Sequence, residues 1–120
     1  MVLIRTLAEV SGEQSGDLLL LSWGSTYGAA KTAFDKLTGE GHKISFLHLK
    51  YLNPFPKNLG EILYNFKRIL IPELNSGQLK MIIQSKYLVP VINMSKVQGK
   101  PFKAIEIEEK LVELLNEKGN

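Results

Sequence analysis

Four short apolar runs, separated by stretches of helical periodicity, constrain this chain more than any other feature. They are Asp17–Trp23 (DLLLLSW), Ile44–Leu49 (ISFLHL), Arg68–Pro72 (RILIP) and a shorter one near Val91–Met94. The first is apolar at consecutive positions rather than alternate ones, which suits a strand buried on both faces of a parallel sheet. Between the runs, apolar residues recur at helical spacing. Ala29, Ala30, Ala33, Phe34 and Leu37 form one such face, with Gly39 and Gly41 to end the helix. Leu59, Ile62, Leu63 and Phe66 form a second, and Leu79, Ile82, Ile83 and Tyr87 a third. A last helix over about Ala104–Glu117 carries Ile107, Leu111, Leu114 and Leu115. Strand alternating with helix predicts an α/β domain with a mostly parallel sheet of about four to five strands and right-handed crossovers.

The connections fit that reading. Ser25 or Thr26 is placed to cap the first helix, and Gly28 to bring it close to the sheet. Tyr51–Pro56, with two prolines in three residues, must be irregular. Asn58 and Glu61 have the spacing of a capping box, and Ser76 is a cap for the third helix. Ahead of the core, Met1–Val10 reads as a short helix or arm and Ser11–Gly16 as a linker, together an N-terminal arm and linker over residues 1–16. Residues 17–120 read as the domain itself.

If ISFLHL lies on one side of DLLLL and RILIP on the other, the strand order reverses at the first strand. The crevice at that reversal is lined by Gly24, Ser25, Thr26, Tyr27 and Gly28 on one side and by Glu73, Asn75 and Gly77 on the other. Open α/β sheets receive ligands or partners there. Tyr51, Asn53 and Pro54, on the proline-rich loop, are further candidates for contact with a partner.

Composition excludes several chemistries. The 120 residues contain no cysteine, so the chain supplies no disulfide, thiol nucleophile or iron–sulfur ligand. No apolar run approaches the length of a membrane span, and the N-terminus lacks a signal-peptide layout; a cytoplasmic protein without a membrane partner is expected. The net charge of +3 conceals a middle segment, residues 43–103, of about +8, and an acidic tail. Its lysines are spread out rather than interleaved with exposed aromatics, so no nucleic-acid partner is expected.

Familiar motifs fail on spacing. Trp23–Gly28 (WGSTYG) is not a dinucleotide fingerprint, a Walker loop or a nucleophile elbow. What remains is a tight turn leading into a helix N-terminus, where free N–H groups can hold an anion. His42 and His48 have no carboxylate at ligand spacing, so no metal site is expected. His48 shares strand parity with Ile44 and Phe46 and reads as a half-buried, hydrogen-bonded residue. Glu73, at the end of a strand, lacks a partner for acid–base work and is placed to cap a helix or to pair with Lys50. No catalytic residue is assigned.

Four segments carry a family resemblance: SWGSTYG (Ser22–Gly28), HLKYLNPFPKNLGEIL (His48–Leu63), IPELNSGQL (Ile71–Leu79) and KVQGKPFKAIEIEEKL (Lys96–Leu111). In this order and at this spacing they resemble the carboxyl-terminal domain of the alpha subunit of 2-oxoacid:ferredoxin oxidoreductases, closest to the 2-oxoglutarate type. The resemblance covers about residues 17–115. It implies a transketolase C-terminal-domain-like fold, a three-layer α/β/α sandwich with one antiparallel edge strand, although no antiparallel strand stands out in the sequence. It also implies a complex that oxidatively decarboxylates a 2-oxoacid on thiamine diphosphate, passes electrons through iron–sulfur clusters to ferredoxin and transfers the acyl group to coenzyme A. The Tyr-Pro-x-Thr-Pro and Gly-Asp-Gly…Asn segments of the thiamine-binding domains are absent, and the chain matches only the last portion of a family alpha subunit.

Two functions are therefore expected to compete. One is a non-catalytic structural or assembly domain, packed against the remaining alpha-subunit domains and the beta subunit, with a dimer of the isolated chain as a further possibility. The other is a stand-alone module that holds a phosphorylated ligand such as coenzyme A at Gly24–Gly28, helped by Lys50 or Lys57.

Overall fold

A computed structural model describes residues 7–50, 55–74, 78–95 and 100–117. Five strands form one sheet: β1 (Val10–Ser11), β2 (Gly16–Trp23), β3 (Ser45–Leu49), β4 (Phe66–Glu73) and β5 (Ile92–Ser95). Four helices connect or follow them: α1 (Tyr27–Gly39), α2 (Leu59–Tyr64), α3 (Gln78–Tyr87) and α4 (Ala104–Asn116). The strand order is β1-β3-β2-β4-β5. All pairs are parallel except β1 with β3.

The continuous apolar run of β2 lies at the centre and divides by parity, as period-two side-chain alternation demands. Leu18 and Leu20 enter a core with Ala30, Ala33, Phe34 and Leu37 of α1 and with Ile107, Leu111 and Leu114 of α4. Leu19 and Leu21 enter a second core on the other face, with Leu59, Ile62 and Leu63 of α2 and Leu79 and Ile83 of α3. All four leucines are buried. The result is three layers, α1 and α4 on one face and α2 and α3 on the other. The expected sandwich and its central, doubly buried strand are both observed.

Several local expectations are corrected. Val10–Ser11, inside the stretch expected to be arm and linker, forms the antiparallel edge strand, with Val10 opposite Leu47 and Ser11 opposite Phe46. Two residues are too few for an alternating pattern to register. Neither Ser25 nor Thr26 caps α1 through its side chain. Instead Gly24–Thr26 form a 3₁₀ turn, opened by Gly24 at φ +62°, and the Thr26 hydroxyl donates back to the Trp23 carbonyl at 2.8 Å. A Cβ on Gly28 would meet no atom within 4 Å, so close packing is not its reason. Asn58 does not cap α2; its amide exchanges two hydrogen bonds with the backbone of Ala8, at 2.8 and 2.9 Å, like a strand partner. Phe66, expected on α2, opens β4. Ile82 is half exposed, and Leu115 and Tyr87 are partly buried at their core edges. The end of α1 follows the glycine expectation closely. Gly41 takes φ +95°, its N–H reaches the Thr38 carbonyl, and the His42 N–H reaches the Leu37 carbonyl.

Polar clamps hold the layers together. The Arg68 guanidinium bridges Asp17 on β2 and the Leu114 carbonyl near the end of α4. Lys36 on α1 reaches the buried carboxylate of Glu108 on α4 at 2.9 Å, and this contact raises the lysine pKa above its ordinary value.

Candidate functional site

The strand order places β2 between β3 and β4, so the chain leaves the carboxyl end of β2 toward one side of the sheet and that of β4 toward the other. A crevice of about 210 Å³ opens between those ends. Trp23, Gly24, Ser25 and Thr26 line one wall, and Pro72, Glu73 and Leu74 the other. The structure thus brings Gly24, Ser25 and Thr26 together with Glu73, as the reversal of strand order requires. Tyr51, Asn53, Pro54, Asn75 and Gly77 lie outside the described residues, as does the expected cap Ser76.

Glu73 is buried, and its carboxylate accepts hydrogen bonds from the Leu79 N–H at 2.7 Å and the Lys80 N–H at 3.3 Å. Of the two roles open to it, capping a helix is therefore the one observed. Its negative charge sits where the dipole of α3 favours it. Both oxygens serve the fold, and the crevice they border presents a carboxylate rather than a cation. Among the described residues no lysine lines it. An anion at the Gly24–Gly28 turn therefore has none of the help expected from Lys50 or Lys57.

Tyr27 and Lys50 belong elsewhere. A second, larger groove of about 510 Å³ lies on the α1 side of the sheet, at its β1–β3 edge. Phe46 and His48 of β3 and Lys50 just beyond its end, alternate residues along the chain, form its floor. Tyr27 and Lys31 of α1 form one wall, and Leu7, Ala8, Glu9 and Ser11 the other. The two hydrogen bonds between the Asn58 amide and the Ala8 backbone fix that second wall.

His48 is half-buried and hydrogen-bonded, as its strand parity suggests. Its Nδ1 lies 2.8 Å from the Oγ of Ser22, the residue directly opposite on β2, and the Tyr27 ring meets it edge-on at 4.7 Å. Burial lowers its pKa below the ordinary value. The Lys50 ammonium adds to that shift, and the Ser22 backbone works against it. Sequence reasoning missed this grouping because its residues come from three separated segments. The available signal was the shared parity of Phe46, His48 and Lys50. No group of three or more histidine, aspartate or glutamate side chains that could hold a metal ion occurs among the described residues.

The fold and part of the sequence recur in known proteins. A family model described as pyruvate:ferredoxin oxidoreductase core domain II matches residues 16–110, from the first residue of β2 into α4. The 2-oxoglutarate oxidoreductase subunit KorA of Mycobacterium tuberculosis is 47% identical over 91 residues, which cover 76% of this chain and 14% of that protein. A solved 2-oxoglutarate:ferredoxin oxidoreductase from Magnetococcus marinus, with 2-oxoglutarate, coenzyme A and succinyl-CoA bound, superposes with a TM-score of 0.83 at 30% identity. The match covers 91% of this chain and 20% of that one. A split-gene transketolase shares the fold, with a TM-score of 0.65 at 16% identity. The chain thus spans about one-seventh of the length of the KorA subunit it matches.

Proposed function

Because the chain belongs to the core domain II family of pyruvate:ferredoxin oxidoreductases, we propose that it acts as a non-catalytic assembly domain of an alpha subunit in such a complex. The complex would oxidatively decarboxylate a 2-oxoacid, with 2-oxoglutarate favoured by the identity to KorA, to an acyl-CoA while reducing ferredoxin. The observation that carries the reading is the extent of the family match, which takes in β2 to α4 and therefore both cores of the domain.

The residues present fit that division of labour. Glu73, the acidic side chain at the strand-end crevice, is committed to the N-terminus of α3. A chain without cysteine offers no thiolate to an iron–sulfur cluster. Thiamine diphosphate and the clusters would then be held by other domains, with the beta subunit and ferredoxin as further partners. A cytoplasmic location is part of the same proposal.

The test is to tag this chain, recover it from cells of its source and identify what copurifies. The expected result is a set of larger polypeptides carrying thiamine diphosphate and iron–sulfur clusters, with 2-oxoacid- and coenzyme A-dependent reduction of ferredoxin. Recovery of the chain alone, in a cell whose 2-oxoacid oxidation is unchanged by its deletion, would overturn the assignment.

A further inference from the structure

We propose that the groove between β3, α1 and the Leu7–Ser11 segment is a binding site for a small ligand with a single oxyanion head, such as a carboxylate, and an apolar or aromatic body. Its volume, about 510 Å³, lies within the range of roughly 300–1,000 Å³ usual for small-molecule sites.

The donors are built in rather than scattered. Ser22 is fully buried, and among the described residues its hydroxyl meets one side-chain partner, Nδ1 of His48. The buried hydroxyl and the ring nitrogen satisfy one another across the β2–β3 pair. Burial and the neighbouring Lys50 lower the ring's pKa, against a backbone hydrogen bond at Ser22 that raises it. His48 is therefore a positioned polar group at the groove floor, its ring held by Ser22 and Tyr27. Lys50 lies two residues further on the same face and has no carboxylate within salt-bridge distance among the described residues, whereas Lys31 is held by Asp35 at 2.7 Å. One cation beside one positioned imidazole suits a singly charged head. Glu9, exposed on the opposite wall, disfavours a second negative charge. Phe46, Tyr27 and Leu7 supply the apolar surface for the body, with the Tyr27 and Phe46 rings 6.1 Å apart.

Benzoate is a suitable probe, with acetate as the head alone and inorganic phosphate as a more highly charged competitor. Nitrogen-15 NMR titration of the full chain should show saturable benzoate shifts at Tyr27, Phe46, His48 and Lys50, with weaker binding of acetate and phosphate. Lys50 is exposed, so Lys50→Met leaves the fold intact; it should weaken benzoate at least about tenfold, as loss of a charge-assisted hydrogen bond implies, and Lys50→Arg should restore most of it. The absence of saturable shifts, shifts unchanged in Lys50→Met, or phosphate binding as tightly as benzoate would each overturn the proposal. None of these outcomes bears on copurification with an oxidoreductase, so this site and the assembly role stand or fall separately.

Discussion

Replacing Glu73 with alanine separates a capping carboxylate from a catalytic one. The side chain accepts the Leu79 N–H at 2.7 Å and the Lys80 N–H at 3.3 Å from a buried position at the start of α3. Its removal strands both donors, and Leu79 is itself buried, so water does not readily replace the lost oxygen. Loss of the shorter, charge-assisted bond costs about 1.5–3 kcal/mol, and loss of the charge from the helix end adds roughly 0.3–1 kcal/mol. The expected destabilisation is therefore about 3 kcal/mol. With an unfolding entropy of about 2 cal/mol/K per residue, that corresponds to a fall in Tm of roughly 10 °C. Urea unfolding followed by circular dichroism should show a lower midpoint with an unchanged slope. Glu73→Gln, which keeps one oxygen for Leu79, should lose about 1 kcal/mol. A loss below about 1 kcal/mol for Glu73→Ala would refute the capping argument and return the carboxylate to the candidates for chemistry.

Three further perturbations test other parts of the structure. Asn58→Ala removes both hydrogen bonds to Ala8; it should cost about 1–2 kcal/mol and accelerate amide exchange at Ala8 more than in the β2–β4 pair. His48 has a folded pKa below its ordinary 6.5, so the unfolded chain binds the proton more readily. Its contribution to stability is present in full above about pH 7.5 and declines as pH falls through 6.5 toward the folded value. Urea midpoints at about pH 7.5 and 5.5 should differ less in His48→Gln than in the parent chain. Leu88 follows α3 at φ +56° and is 85% exposed, a left-handed position that glycine occupies without strain. Leu88→Gly should therefore stabilise the chain by about 0.5–1 kcal/mol in the same assay, whereas a loss would mean that its side chain packs in solution.

The parts of the fold that were legible share one property, namely that burial on two sides leaves a mark in consecutive residues. Leu18 to Leu21 enter two different cores in alternation, so no polar residue could be tolerated among them, and the run announces a central parallel strand. The crevice followed from it, because a central first strand fixes where the order reverses. The edge was illegible for the converse reason. Val10 and Ser11 make a two-residue strand that is partly exposed, and two residues carry no period. The polar side chains were read by type but not by partner. Asn58 and Thr26 sit where caps belong, yet one bonds to Ala8, fifty positions away, and the other to a carbonyl behind it. Which acceptor a short polar side chain finds depends on tertiary neighbours that spacing does not encode.

The same limit explains how one motif came to serve two sites. Gly24 to Gly28 read as a continuous lining for a single crevice, but a turn that starts a helix rotates successive side chains by about 100° each. Gly24, Ser25 and Thr26 face the β2–β4 crevice, while Tyr27 opens α1 toward β3 and meets His48. Lys50 is separated from the crevice by parity, because it shares a face with Phe46 and His48. The cation expected at the helix N-terminus thus lies beside His48 at the sheet edge, and the charged group at the crevice is a carboxylate bound to α3. Lys50, in the groove, has no carboxylate within salt-bridge distance among the described residues, while Glu73 and Thr26 of the crevice bond to the backbone. That difference is the ground for proposing a ligand site at the β3 edge rather than at the strand ends.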